Sequence, residues 1–447
     1  MALYFCLDTH TVIGMQRRKV TFKLYPSSSQ LQRLDGWVRL HAELYNAALQ
    51  ERIEAYRKAG ISISYYDQQN TLPLIKQFRP ELVELGSHAL QETLRRLDRA
   101  FQAFFRRVKA GQSPGFPRFK SSTRFSGFTY PDPAGWKLLQ QGPRGGTLRL
   151  GSGKDAMMIR LRGRHRFAES TPNDLTLIRR RNHATGQDQW YASVTLRLSE
   201  SACGRQRTGD DAIGIDLGVA HWANLDDGTQ IDNPRWLREA LPRLGDLQCQ
   251  RARKRRGSHR YRQLSQQIAR LHQRIGNTRR DFLHKQTSAL VQRCALIATE
   301  ELQPKNMSRS ARGTVVSPGR RVRQKAGLNR EILSAGLGMA HQMLTYKAHE
   351  AGSVLHLSNT RQLKPSQRCS ACWAVVPKAL SERMHRCACG CVLPRDQNSA
   401  RVVLLDAWTP KDTPGTGVAA RQEPLPAQAG KQPSATRETP TTTATAV

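Results

Sequence analysis

Residues 369–400 read CSACWAVVPKALSERMHRCACGCVLPRDQNSA, a cysteine cluster that runs straight into Asp396-Gln397-Asn398. Cys369 and Cys372 make one C-x-x-C hook, and Cys387, Cys389 and Cys391 crowd a second around Gly390. Two thiolate pairs roughly fifteen residues apart are the pattern that closes a tetrahedral zinc ribbon. The gap between the hooks suits a β-hairpin and is too short for a core, so metal would hold the ribbon together. The second hook is irregular. Cys387-x-Cys389 and Cys389-x-Cys391 are tighter than C-x-x-C, and Cys387 to Cys391 is looser, which leaves Cys391 open as an alternative ligand. A disulfide cluster is the competing reading. No secretory signal precedes it, and the four cysteines outside the cluster are scattered, as in a reducing compartment.

Outward from this stretch the chain is strongly basic: 71 Lys+Arg against 35 Asp+Glu, a formal charge of +36 over 447 residues. Such an excess strains a compact fold by self-repulsion unless a polyanion neutralises it. Nucleic acid is the expected partner, bound through phosphate neutralisation and counterion release. No apolar run approaches the roughly eighteen residues of a membrane span, so no membrane partner is expected. With 38% hydrophobic residues the chain can bury ordinary cores, and its length implies roughly two to four compact units. The N-terminal MALYFCLDTHTVIGM contains an acid and no basic leader, so it reads as an extension (1–16) and not as a signal peptide.

Residues 17–25 alternate as a short basic strand, and Pro26 with the serines after it stops the strand and caps a helix. Leu34, Val38, His41, Tyr45 and Ala48 fall at helical spacing, as do Leu90, Leu94, Leu97, Phe101, Phe104 and Val108 in a second helix opening near Ser87. The two stripes are expected to pack on each other. The other face of the second helix carries Arg95, Arg96, Arg99, Arg106, Arg107 and Lys109, nearly all of one sign, so nucleic-acid contact competes there with a merely solvated face. In 111–130, GQSPGFPRFKSSTRFSGFTY, the rings either stack on bases or plug the edge of the bundle. Short strands and turns over 131–200 read as a small β-barrel-like module. Residues 212–229 read as a strand carrying Asp216 that returns through a turn at Asp227-Gly228. The basic run 251–262 feeds a long helix, then a buried strand ends on Glu300 and Glu301. A helix over 328–351, a strand at 353–357 and a helix starting at Ser399 follow. Beyond 408 the Pro/Thr/Ala-rich chain is expected to be disordered.

Three acids stand where acids are costly: Asp216 in an apolar strand, Glu300 at the end of another, and Asp396 just after the second hook. Carboxylates converging from separate elements are what a two-metal nuclease requires, with Mg²⁺ ions about 4 Å apart activating water and stabilising the leaving oxygen.

The order IGIDLGV (213–219), ATEEL (298–302), the cysteine hooks and RDQNSA (395–400) resembles the TnpB/OrfB proteins of bacterial insertion sequences, relatives of the type V CRISPR effectors. GFPRFK (115–120), RDFLHK (280–285) and GLNREIL (327–333) add to the likeness, which spans roughly residues 17–405. The resemblance implies an α+β multi-domain chain. A wedge strand (17–25) would precede a helical recognition bundle (26–110) inserted into a wedge β-barrel (111–205). A split RNase H-like (RuvC) α/β domain (206–360 and 394–407) would follow, interrupted by a zinc-ribbon target nucleic-acid-binding insert (361–393). It implies an RNA-guided DNA endonuclease whose partners are a transposon-derived guide RNA and double-stranded target DNA beside a short adjacent motif. Its setting would be cytoplasmic and nucleoid-associated.

By the same resemblance Asp216, Glu300 and Asp396 match the catalytic acids that hold two Mg²⁺ ions, with Glu301 ranked below Glu300. Cys369, Cys372, Cys387 and Cys389 match the ligands of one structural Zn²⁺. Trp373 replaces a frequent glycine after the first hook, and Pro394 replaces an acid. Arg95, Arg99, Arg118, Lys120, Arg253, Lys254, Arg255 and Arg256 are the candidate nucleic-acid contacts. An RNA-guided binder without cleavage and a DNA strand-transfer transposase are the readings from other classes.

Overall fold

The computed structural model describes residues 16–409, except 143–144, 164, 166–169, 184, 199–206, 314–316 and 380. All but the last residue of the expected N-terminal extension, and the expected tail from 410 onward, lie outside the described residues.

In chain order, β1 (Gln16–Tyr25) leads into α1 (Ser28–Ala59), α2 (Tyr65–Asn70), α3 (Leu72–Phe78) and α4 (Ser87–Lys109). Six strands follow: β2 (Gly127–Tyr130), β3 (Trp136–Gly142), β4 (Gly145–Leu150), β5 (Met157–Arg162), β6 (Ser170–Arg181) and β7 (Asp188–Leu198). Next come β8 (Asp211–Leu217), β9 (His221–Leu225), β10 (Gln230–Asp232), α5 (Trp236–Ala252), α6 (His259–Arg293) and β11 (Cys294–Glu300). The chain continues through α7 (Pro304–Met307), α8 (Val322–Ala335), α9 (Leu337–Ala351), β12 (Val354–Ser358) and α10 (Thr360–Leu363). It closes with β13 (Met384–Arg386), β14 (Val392–Pro394) and α11 (Arg395–Trp408). These elements form two compact units. One comprises residues up to Asp211, Pro234–Leu296 and Leu302–Leu355; the other comprises Ala212–Asn233, Ile297–Glu301 and the chain from His356.

In the first unit, Ser27 and Gln30 form a reciprocal capping box at the start of α1, and Gly60 ends that helix at φ 68°. Leu34, Val38, His41, Tyr45 and Ala48 are all buried, as the helical spacing predicts. On α4 the stripe holds for Leu90, Leu94 and Leu97, but Val108 is 50% exposed. Periodicity identifies the shared face; among the described residues Val108 in its last turn is left exposed. The strands order as β2-β6-β7-β1-β5-β4-β3. The end strands β2 and β3 do not pair with each other among the described residues, so the expected barrel is an open seven-stranded ladder there. Helices and sheet share one core, in which His41 stacks on Phe128 at 4.4 Å.

The sequence reading missed α5, whose Pro242 and charges mask its period. Leu244 and Leu247 of α5 pack with Ile268 and Ile275 of α6. The single helix expected over 328–351 is two, broken at Gly336 with φ 69°. On α9 the buried Lys347 donates to His284 O at 2.7 Å, Thr287 Oγ1 at 2.7 Å and Ser288 Oγ at 2.9 Å, so its ammonium is fully satisfied by α6.

The second unit is built on a five-stranded sheet ordered β10-β9-β8-β11-β12. Asp227-Gly228 turns β9 into β10, not β8 into β9: the expected hairpin is a three-stranded meander. Against this sheet lies α11, which begins at Arg395, four residues before the expected start. Its approach depends on Gly214 of β8, where a Cβ would fall 2.0 Å from Ala400 O and 2.9 Å from Leu404 Cβ.

Candidate active site and metal centre

β8 and β11 are neighbours in the sheet, and α11 crosses over β8 at Gly214. That arrangement gathers Asp216 from β8, Glu300 from the end of β11 and Asp396 from the first turn of α11 within electrostatic reach of one another. All three are half-buried. Burial pushes the Asp216 carboxyl well above the usual carboxylate range, and the charges of Glu300 and Asp396 push it further. Glu300 is pushed up to about 6, first by burial, with Asp396 adding to it. The Ser399 dipole opposes both shifts, and the Arg395 charge opposes that of Asp216. Ser399 Oγ is buried and near both carboxyls, yet completes no hydrogen bond of standard geometry. A set of like-charged oxygen donors that the fold disfavours ionising is chemically matched to a hard divalent cation.

The sequence reading did not single out four neighbours of these acids. Asn224 lies directly across from Asp216 in the β8–β9 register, 4% exposed, with no hydrogen-bond partner for its Oδ1 among the described residues. Asp226 accepts the Gly214 N–H at 2.9 Å on its carboxylate, while its carbonyl accepts from Arg401 Nε at 3.0 Å and Gln397 Nε2 at 3.3 Å. It brackets the turn to α11. Arg395 donates to Ala379 O at 3.0 Å, tying the cysteine insert to the start of α11. The fully buried Asn398 accepts from Ser370 N at 3.0 Å and donates to Arg368 O at 2.7 Å, pinning the first hook to the helix. The RDQN run carried the only signal for the last two.

In the insert, the Sγ atoms of Cys369, Cys372, Cys387 and Cys389 all lie within 4.8 Å of one another. Cys369 and Cys389 are 3.7 Å apart and Cys372 and Cys387 3.5 Å. Sulfurs on a tetrahedron with Zn–S near 2.3 Å stand about 3.8 Å apart, so the set fits zinc. The thiols do not share one acidity. Burial pushes Cys369 up to about 11, whereas the Cys389 backbone N–H brings Cys387 down to about 7. Cys391 is grouped instead with Cys369 and the buried His385, a histidine the sequence reading passed over. Trp373, at the position where the resemblance expects a glycine, has φ 66°. Arg368 stacks over its ring at 5.2 Å and donates to its carbonyl at 2.9 Å, holding the unfavourable turn in place.

The candidate nucleic-acid contacts divide by environment. Arg118 and the run Arg253, Lys254, Arg255 and Arg256 are exposed. Arg95 and Arg99 are exposed but ion-paired to Glu92 of their own helix. Lys120 folds back over the Tyr45 ring at 4.4 Å, its backbone bonded at both ends to Asn46. Arg96 is likewise turned inward, donating to Gly127 O at 3.1 Å and covering the Phe125 ring at 4.6 Å. An open cleft of about 440 Å³ between α5 and α6, lined by Arg243, Arg270 and Arg274, is a basic feature the sequence did not reveal.

A family model described as "Probable transposase" (OrfB_IS605) matches residues 194–311, which include Asp216 and Glu300. The Escherichia coli (strain K12) protein named "Putative RNA-guided DNA endonuclease InsQ" is 32% identical over 391 residues, 86% of this chain and 90% of that protein. The chain belongs to the TnpB/OrfB family. A second model, "Cas12f1-like, TNB domain", matches residues 338–403 of this TnpB/OrfB chain, covering the cysteine insert and Asp396. A Streptomyces pristinaespiralis relative named "Putative RNA-guided DNA endonuclease" is 29% identical over 396 residues, 87% of this chain and 89% of its own. The cryo-EM structure of a Cas12f1-sgRNA-target DNA complex contains a chain that is similar in fold, with a TM-score of 0.51 at 12% identity. That likeness covers 85% of this chain and 83% of the other. No helix among the described residues is long and apolar enough to cross a membrane.

Proposed function

We propose that this TnpB/OrfB protein is an RNA-guided DNA endonuclease that hydrolyses phosphodiester bonds at Asp216, Glu300 and Asp396. The observation that carries the reading is the gathering of three carboxyls from distant segments, with the Asp216 carboxyl raised by burial and by the other two. Active sites are where such shifts concentrate. Asp216, Glu300 and Asp396 would hold two Mg²⁺ ions, which when bound supply an activated water and charge stabilisation for the leaving oxygen. The chain's own residues set the frame for that chemistry. Gly214 lets α11 approach β8, Ser399 and Arg395 temper the carboxyls, and Asn398 fixes the first cysteine hook to the catalytic helix. Cys369, Cys372, Cys387 and Cys389 would hold one structural Zn²⁺.

In this reading the guide RNA and the target DNA are held by exposed cations such as Arg118 and the 253–256 run, while base pairing selects the sequence. The names of the relatives support it. The test is calorimetric titration of Mg²⁺ or Mn²⁺ into the RNA-loaded protein, alongside cleavage of a matched target. Binding and cutting lost together in Glu300→Gln, with guide RNA retained, is the expected result. Unchanged metal binding in that variant would overturn the assignment of the site.

A further inference from the structure

The last turns of α4 and the loop after it carry a feature that the proposed cleavage chemistry does not use. No acid stands between Asp98 and Asp132, whereas that stretch holds seven cations. Inside it four phenylalanines form one contiguous group. Phe101 and Phe105 stack at 6.3 Å, and Phe104 meets Phe105 edge-on at 5.2 Å. Phe116 closes the group against Phe101 at 5.6 Å and Phe104 at 5.3 Å. Phe101 is anchored on the hydrophobic core. The outer rings are not covered: Phe105 is 60% exposed and Phe116 48%. Single exposed apolar residues need no explanation, but a joined aromatic surface marks an interaction site. Arg106, Arg107 and Lys109 on the last turn of α4 and Arg118, two residues after Phe116 in the loop, are exposed. Among the described residues none of these four takes part in an ion pair.

An occupant must therefore offer apolar faces and negative charge together. A second copy of the chain would bring the same cations against themselves, and an apolar peptide would leave them unmatched. We propose that the Phe105–Phe116 surface is a stacking platform for unpaired nucleobases, with Arg106, Arg107, Lys109 and Arg118 taking the adjoining phosphates. Ring faces accept any base, and guanidinium groups add to such stacks. The platform rests on the nucleic-acid reading above and adds to it a class of contact that ion pairing alone does not give.

The test measures affinity of the full chain, by fluorescence anisotropy, for labelled oligoadenylate and for an abasic strand of equal length and charge, in DNA and RNA forms. Wild-type protein is expected to prefer the base-bearing strand by about tenfold. Phe105→Leu with Phe116→Leu keeps the surface apolar and should abolish that preference while leaving abasic affinity unchanged. Phe105→Leu alone, at the most exposed ring, should reduce the preference without placing folding at risk. Equal wild-type affinity for both strands overturns the platform but leaves phosphate-driven binding standing. So does a preference that survives the leucines. Failure to bind either strand overturns the nucleic-acid reading with it. The DNA and RNA arms identify which strand the surface holds.

Discussion

In the proposed chemistry Asp216 would have to be ionised in a place that resists charge. Its folded pKa lies above the ordinary carboxylate value, so the fold favours the protonated form. That contribution to stability is fully present below about pH 4 and is lost as pH rises through the raised folded value. Asp216→Asn should therefore raise the melting temperature of metal-free protein by about 3 °C at neutral pH and by much less at pH 4. Calorimetry at the two pH values checks this; equal shifts would mean that the charge is not what strains the site. Trp373 shows a different kind of strain, a large side chain at φ 66° held by the Arg368 clamp. Trp373→Gly relieves the backbone and loses the clamp, so its net effect should stay within about 1 kcal/mol. Trp373→Val, β-branched at positive φ, should cost more than that in denaturant melts.

α11 is the element on which the site depends, because Asp396 and Ser399 sit on it and Asn398 joins it to the cysteine insert. Its seat requires Gly214, so Gly214→Ala should lower cleavage at least about tenfold while leaving RNA binding intact. Normal cutting would show that the helix can shift without cost. The link through Asn398 and Arg395 also predicts that Cys387→Ser, or stripping the proposed zinc with a chelator, slows cleavage even though the insert's cysteines are not among the groups acting on the Asp216 and Glu300 carboxyls. Restoring zinc after chelation should recover the rate, and a rate indifferent to zinc would break the link. The three candidate acids stand out in the sequence because each lies in an apolar strand or beside a hook. The start of α11 does not, because Asp396-Gln397-Asn398 after Pro394 look like turn residues, yet the helix already begins at Arg395. On α4 the spacing that groups Leu90 with Val108 buries Leu90, Leu94 and Leu97, yet Val108 is exposed, as are Phe105 and Phe116. Whether an apolar face has a neighbour is a tertiary fact that periodicity does not carry.

At the scale of the molecule, a charge of +36 favours a polyanion as partner. The composition announced this, but not which cations are free: Lys120 and Arg96 turn inward onto aromatic rings, while Arg118 and residues 253–256 face solvent. In the proposed function this charge and the three acids serve one guided nuclease. The most direct test sequences the RNA that co-purifies with the chain expressed from its native locus. That complex is then given a matched target-plasmid library and Mg²⁺, beside the Asp216→Ala protein. The account predicts one discrete RNA species and plasmid cut by the wild-type complex, with the Asp216→Ala complex still bound to its target and the plasmid intact. Target occupied but uncut by the wild-type complex, or cutting that survives Asp216→Ala, would contradict it.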